Sequence, residues 1–159
     1  MNLSDIITVS GKTGLFKIIS QTKNGMIIES LIDQKRFPTY ITDRVNKLDD
    51  IFVYTVSSEI ILKDLFLKIY EKENGAQALD PKSDDKKLKT YFEEVLPDYN
   101  KEKVYVSDMK KIISWYNILN KQGLITPDEK PEEKPAEENS DNNPVKSDPE
   151  TTQPEDKKE

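Results

Sequence analysis

Residues 10–14 read Ser-Gly-Lys-Thr-Gly and resemble the end of a phosphate-binding P-loop. That motif needs a glycine five residues before Gly11, where this sequence has Ile6. It also needs a helix directly after the loop, because the helix N-terminus holds the phosphate. The residues that follow Gly14 are typical of a strand instead. We therefore predict a turn that leads into a strand, and not a nucleotide site of this kind.

Paired carboxylates are the next candidates for chemistry, since two acids in one pocket can divide the roles of acid and base. We expect these pairs to lie at helix starts or on polar helix faces, where nothing would separate their pKa values. Residues 80–85 also lack the glycine and the final glutamate of a calcium-binding loop. The pairs are Asp49-Asp50, Asp84-Asp85 and Glu93-Glu94.

The chain contains neither cysteine nor histidine. Their absence removes hydrolases built on Ser-His-Asp or Cys-His, and it removes the usual ligands of zinc. Asp, Glu, Lys and Tyr remain as possible catalytic groups. We predict a protein that is not an enzyme, with no catalytic residues, no cofactor and no metal.

The N-terminal residues lack the basic and apolar segments of a signal peptide. The sequence also has no apolar run long enough to span a bilayer. The prediction is a cytoplasmic protein without a membrane partner.

The charge is unevenly distributed. Residues 126–159 hold 12 acidic and 5 basic side chains, whereas the remaining residues hold 18 acidic and 19 basic ones. Six of the nine prolines also lie in residues 126–159, and few aliphatic residues do. Such a composition predicts a disordered acidic, proline-rich tail, because it cannot bury enough apolar surface to order itself. It could be an acidic interaction arm, but a solubilising extension is the simpler interpretation.

Residues 1–57 have the pattern of a small β-domain. Short β-branched and aromatic runs occupy residues 15–19, 26–31, 36–41 and 51–55, and Asn24-Gly25 suits a hairpin turn. Pro38 indicates an edge strand, and we expect a helical turn at residues 45–48. Together these features predict an SH3-like β-barrel.

Residues 58–125 have the period of three short helices. The predicted buried faces are Leu62, Leu65, Phe66, Ile69 and Tyr70; Leu88, Tyr91, Phe92 and Val95; and Met109, Ile112, Ile113, Tyr116 and Leu119. Ser83 and Ser107 are the expected N-caps of the second and third helices. We predict an orthogonal three-helix bundle, and therefore an α+β protein with the barrel first.

The third helix carries the strongest candidate for a partner surface. Lys110, Ser114, Asn117 and Lys121 share one stripe that has no acid on it, and Lys111 lies beside them. Trp115 and Ile118 lie outside the arc that faces the bundle core. They could cover the barrel, or they could contact a partner, for which tryptophan is a frequent hot spot.

A nucleic-acid face on the barrel is the alternative. Basic residues and aromatic rings alternate there, as in proteins that bind single strands. The candidate residues are Lys17, Lys35, Arg36, Phe37 and Tyr40. The rings are also needed for the barrel's own core, so a core role is the simpler interpretation.

Several stretches resemble a two-domain family of unknown function of the Bacteroidota type. They include Ser-Gly-Lys-Thr-Gly-Leu-Phe-Lys from residue 10, Ile-Tyr-Glu-Lys-Glu-Asn-Gly from residue 69, Asp-Pro-Lys-Ser-Asp-Asp from residue 80, Val-Leu-Pro-Asp-Tyr from residue 95, and residues 104–117. The resemblance covers residues 1 to about 124. It implies an SH3-type barrel followed by a small orthogonal helical bundle, and it brings no activity or cofactor.

The sequence therefore predicts a non-enzymatic binding module. An unknown protein is the expected partner, because the body is nearly neutral and an apolar patch flanks the third helix. RNA or another nucleic acid is the alternative, and it would use the barrel and the basic stripe.

Overall fold

The computed structural model describes residues 1–127. The predicted tail lies outside the described residues, apart from Thr126 and Pro127. The described chain is α+β, as predicted: antiparallel strands come first and three helices follow. The elements are β1 (Ile6–Val9), β2 (Phe16–Thr22), β3 (Gly25–Ser30), β4 (Arg36–Tyr40), β5 (Val45–Lys47), β6 (Phe52–Tyr54), β7 (Glu59–Ile61), α1 (Leu62–Lys72), α2 (Asp85–Val95) and α3 (Val106–Lys121).

The first five strands form one antiparallel sheet in the order β4-β3-β2-β1-β5. The β2–β3 hairpin turns over two residues, because Thr22 pairs with Gly25. A Cβ atom at Gly25 would collide with the carbonyl oxygen of Thr39 in the next strand, so glycine is required there. The sheet stays open, since β4 and β5 are its two edges and do not pair with each other. Its hydrogen bonding therefore does not close the barrel that the sequence predicts.

The last predicted strand and the helical turn are placed differently. Val45–Lys47 is β5 and pairs with β1, and the helical turn follows at Leu48–Asp50. Phe52–Tyr54 leaves the five-stranded sheet and pairs with β7. The physical reason is burial: Val45 packs on the core of the sheet, whereas Leu48 is fully buried in the core shared with the helices.

Two apolar clusters organise the molecule. The small cluster contains Ile7, Val9, Phe16 and Ile28 on one face of the sheet. The main cluster is built by the three helices together with N-terminal residues such as Ile6, which faces the other way from its neighbour Ile7 because successive residues of a strand alternate. The sheet and the helices therefore share a core. The boundary predicted between residues 57 and 58 stays a prediction.

The helices bury the faces that their sequence period predicts. The one exception is Tyr70, which is only partly buried at the end of α1. The buried residues are Leu62, Leu65, Phe66 and Ile69 in α1; Leu88, Tyr91, Phe92 and Val95 in α2; and Met109, Ile112, Ile113, Tyr116 and Leu119 in α3. Asn74 and Gly75, both with positive φ, end α1 as expected.

The predicted N-caps are wrong. The helix α2 begins at Asp85 after Asp84, two residues beyond Ser83. Ser107 lies inside α3, and the Asp108 carboxylate accepts a hydrogen bond from the backbone N–H of Tyr105 at 3.1 Å. An aspartate at this position satisfies one free donor and also suits the helix dipole.

Within residues 1–127, no helix has both the length and the apolar character needed to cross a bilayer.

Candidate functional site

Trp115 lies at the junction of the sheet, the β6 strand and α3. Its side chain is half-buried and packs against the main core. It also lines two neighbouring grooves, so it covers the core with one part and faces open space with another. Of the two roles that the sequence leaves open for Trp115, packing on the core is present, and contact with a partner stays a prediction for its open side.

The first groove, here called the loop groove, separates the β1–β2 loop from the N-terminal half of α3. Its volume is about 520 Å³, which is within the range of small-ligand sites. Residues 10–14 form one wall, and Lys110, Lys111, Ser114 and Trp115 form the other. Because β2 follows the loop directly, the expectation that no P-loop helix follows is confirmed. The structure nevertheless places lysines of a distant helix opposite this loop.

Among residues 1–127, the charged residues that line the loop groove are Lys12, Lys110 and Lys111, and no carboxylate lines it. Lys110 is partly compensated, because its Nζ is 2.9 Å from Oδ1 of Asp85 on α2. The α3 stripe itself carries no acid, as the sequence shows, but at Lys110 it meets an acid from α2. The Nζ of Lys12 lies 4.0 Å from the ring centroid of Phe37. Lys111 has no hydrogen bond or ion pair with any other residue that the structure describes.

The second groove, here called the strand groove, continues past Trp115 to β6. It measures about 220 Å³ and shares Ile51, Lys111 and Trp115 with the loop groove. Phe52 and Tyr54, which belong to β6 and line this groove, are 50% and 43% exposed. The Nζ of Lys103 lies 4.6 Å from the Tyr54 ring centroid. Lysines and aromatic rings therefore alternate along the joined grooves.

Sequence reasoning missed this part of the surface because residues 51–55 were assigned to the core of the barrel. The alternation within β6 is the pattern that could have revealed it. Val53 is buried, and Phe52 and Tyr54 point to the opposite, open face.

The C-terminal half of α3 borders a third space, here called the rear groove, of about 600 Å³. Asn117, Ile118 and Lys121 line it, and Ser114 lines both this groove and the loop groove. Asn117 is engaged inside the molecule: its Oδ1 accepts from the Ala78 N–H at 2.8 Å, and its Nδ2 donates to the Leu79 carbonyl at 3.4 Å. The predicted partner-binding set is thus divided between the N-terminal and C-terminal halves of α3, and Asn117 has a structural role.

The residues of the predicted nucleic-acid face do not form one basic surface. The Nε of Arg36 lies 2.6 Å from Glu29, and the Nζ of Lys35 lies 3.3 Å from Asp33. Strand register places Lys17 and Arg36 on either side of Glu29, so an acid separates the two cations.

The two aromatic residues of that face differ from each other. Phe37 packs edge-to-face on Phe16, with ring centroids 5.4 Å apart, so its ring belongs to the small cluster. Tyr40 is 58% exposed. One open ring therefore remains there for stacking.

The two tyrosines with strongly raised pKa values, Tyr91 and Tyr116, belong to the core. Burial, followed by the nearby Glu73 and Tyr70, raises the pKa of Tyr116 to about 12, and its hydroxyl donates to the Ala76 carbonyl at 3.0 Å. Burial, followed by Glu73, also raises the pKa of Tyr91. Neither tyrosine lines the loop groove or the strand groove. Residues 1–127 contain no group of three or more acidic side chains close enough to hold a metal ion.

Two family models match this chain. Residues 3–48 match a domain of unknown function (DUF5606), and residues 51–119 match a domain of unknown function (DUF6852). A solution NMR structure from Bacteroides vulgatus, solved as a structural genomics target, is similar with 42% sequence identity and a TM-score of 0.65. That similarity covers 79% of this chain and 90% of the other. No curated protein matches the sequence.

Proposed function

This chain belongs to the same family as the Bacteroides vulgatus protein, a Bacteroidota family that combines these two domains of unknown function, and we propose that it is a non-enzymatic, cytoplasmic binding module for a protein partner. The proposed contact surface is the loop groove together with the strand groove. Trp115 is its centre, and Lys111 is its principal cation.

The observation that carries this proposal is the position of Trp115 and Lys111, which line both grooves. A half-buried tryptophan is held in place by the core and still offers an open face to a partner. Side chains of this kind dominate the energetics of protein interfaces. The neighbouring rings of Phe52 and Tyr54 add exposed apolar area, which marks interaction sites when it is contiguous.

Nucleic acid, RNA first, is the second candidate. Lys103 beside Tyr54 and Lys111 beside Trp115 repeat the arrangement by which single-strand binders follow phosphates and stack bases. The described body has almost no net charge, and Lys35, Arg36 and Lys110 are each close to a carboxylate. These pairs favour the protein partner over the RNA.

The SH3-like class of the sheet is part of the same proposal. Two features support it: the fifth strand returns to pair with the first, and a register shift between Ile18 and Ser20 lets β2 bend. A residual-dipolar-coupling measurement of strand orientations would test it, since a nearly flat sheet would contradict a barrel.

Affinity capture from a lysate of the native host, with and without nuclease, tests the protein partner. We expect Trp115→Ala and Lys111→Glu to lose the captured protein, because both act in the joined grooves. Lys89→Glu on the exposed face of α2 is the charge-matched control, and Tyr40→Ala is the aromatic control; both should retain it.

The outcomes separate the alternatives. Loss with Lys121→Glu and retention with Lys111→Glu would move the partner to the rear groove. Nuclease-sensitive capture with a steep salt dependence would favour RNA, because released counterions make such binding salt-dependent. Equal loss in all variants, controls included, would contradict a localised surface.

A further inference from the structure

The β1–β2 loop, which forms one wall of the loop groove, has features of an anion site. It fails as a P-loop, because a strand and not a helix follows it. A P-loop uses the helix that follows it, whereas this loop lies opposite α3, and Lys110 and Lys111 of that helix face it across the groove. The glycines, hydroxyls and lysine of residues 10–14 therefore face a second basic element.

Two hydrogen bonds hold the loop backbone, and the space beside Gly11 is open. The N–H of Ser10 donates to the Arg44 carbonyl at 2.9 Å, and the N–H of Lys12 donates to the Val9 carbonyl at 3.1 Å. Gly11 has a φ of +80°, and no heavy atom lies within 4 Å of the place where its Cβ would be. A ligand can therefore approach this backbone closely, as phosphate groups do at glycine-rich turns.

Several hydrogen-bond donors of the groove are unused. The backbone N–H groups of Gly11, Thr13 and Gly14 have no acceptor among residues 1–127. The hydroxyls of Ser10, Thr13 and Ser114 have no partner in that part of the chain either. Unpaired N–H groups and hydroxyls beside lysines are the donor set that an oxyanion requires.

The charge balance selects the ligand class. Lys12 and Lys111 carry positive charge that no described carboxylate pairs with, whereas Lys110 is shared with Asp85. Two such cations with several neutral donors match a doubly charged group better than a single carboxylate. Trp115 lies on the same wall of the loop groove as Lys111, where its ring can contact the organic part of a ligand that carries the doubly charged group.

We propose that the loop groove binds a phosphate monoester, with Lys12 and Lys111 as its cations, the backbone and hydroxyls of residues 10–14 as its donors, and Trp115 in contact with the group that carries the phosphate. This deepens the proposed function, on which it rests for the accessibility of the groove. The phosphate can belong to a free metabolite or to a phosphorylated side chain of the partner protein.

Trp115 is the one tryptophan of the 159 residues, so its fluorescence reports directly on the groove. We would titrate the full-length protein with phenyl phosphate and, as the matched control, with phenyl sulfate at equal ionic strength. We expect saturable emission changes with phenyl phosphate and at least tenfold weaker binding of the sulfate. Lys12→Gln and Lys111→Gln should each weaken phosphate binding about tenfold, whereas Lys89→Gln should not change it.

Further arms distinguish the sources of the phosphate. If a phosphoserine or phosphotyrosine peptide binds more tightly than phenyl phosphate, the natural ligand is a phosphorylated protein. If a mononucleotide binds more tightly, the natural ligand is a free metabolite. An emission change that sodium chloride alone reproduces, that Lys89→Gln affects equally, or that is absent up to about 10 mM phenyl phosphate would overturn the proposal. If phosphate fails to bind while Lys111→Glu still loses the captured protein, this inference falls and the proposed function stands.

Discussion

At the scale of single residues, Trp115 is intermediate between a core residue and a surface residue. A fully buried tryptophan would cost about 3–5 kcal/mol on truncation to alanine. Because Trp115 keeps an open face, we expect Trp115→Ala to lower the free energy of unfolding by about 2 kcal/mol. Urea denaturation followed by circular dichroism would measure it.

The matched comparison for this variant is Tyr40→Ala, which should stay within about 0.5 kcal/mol because Tyr40 is an exposed side chain. A cost for Trp115→Ala as small as that of Tyr40→Ala would show that Trp115 does not support the core. A cost above about 4 kcal/mol would show that little of its ring is open to a partner.

The buried tyrosines predict a loss of stability in alkaline solution. The pKa of Tyr116 is raised from 10.0 to about 12, so folding favours the neutral form. Its contribution is complete below pH 10 and is lost as the pH rises towards 12. We expect the free energy of unfolding to fall by about 1 kcal/mol between pH 10 and pH 11 through this group.

Tyr116→Phe should make that alkaline decrease less steep, because only Tyr91 of the two buried tyrosines then remains to titrate. At neutral pH this variant costs about 1 kcal/mol through the lost hydrogen bond to Ala76. Tyr40→Phe is the control and should keep the decrease of the unchanged protein. Urea midpoints at pH 8, 10 and 11 measure both effects. An identical pH profile for Tyr116→Phe would contradict the role assigned to Tyr116.

At the scale of elements, the cap of α3 can be tested, because Ser107 is the predicted cap and Asp108 is the residue that makes the capping hydrogen bond. The Asp108 carboxylate accepts the Tyr105 N–H, whereas Ser107 makes no such bond in the described structure. We expect Asp108→Ala to destabilise the protein by about 1 kcal/mol and Ser107→Ala to have almost no effect. Thermal unfolding of both variants measures this difference, and the reverse order would restore Ser107 as the cap.

Apart from the partly buried Tyr70, helix periodicity was sufficient to predict which residues each helix buries, because the main core lies along one side of every helix. The shorter elements were less predictable. Val45 and Leu48 are both aliphatic, and only the position of the two clusters decides that one ends a strand and the other starts a helical turn. The contact between Lys110 and Asp85 spans 25 residues, so no local pattern could indicate it. The division of the candidate surface into separate grooves follows from the same long-range packing.

At the scale of the whole molecule, the shared core predicts a single cooperative unfolding transition. Leu3, Leu15, Leu31 and Leu48 from the N-terminal part are buried together with the helices. Residues 1–57 alone would expose these side chains to water, and we expect that fragment not to fold. Coincident urea transitions by circular dichroism and by Trp115 fluorescence would support this expectation, and two separate transitions would contradict it.

The open sheet has a consequence for how molecules of this protein meet one another at high concentration. An unpaired edge strand offers donors and acceptors to the edge of another molecule. Pro38 sits in the middle of β4, opposite Ile27, and removes one donor from that edge. Pro38→Val would restore a backbone N–H in the middle of this edge, next to the exposed Tyr40 and Ile41. Light scattering should then show self-association that increases with protein concentration. The control Pro81→Val, which lies outside the strands, should not self-associate. The proline at position 38 would therefore be the residue that prevents edge-to-edge aggregation of this protein.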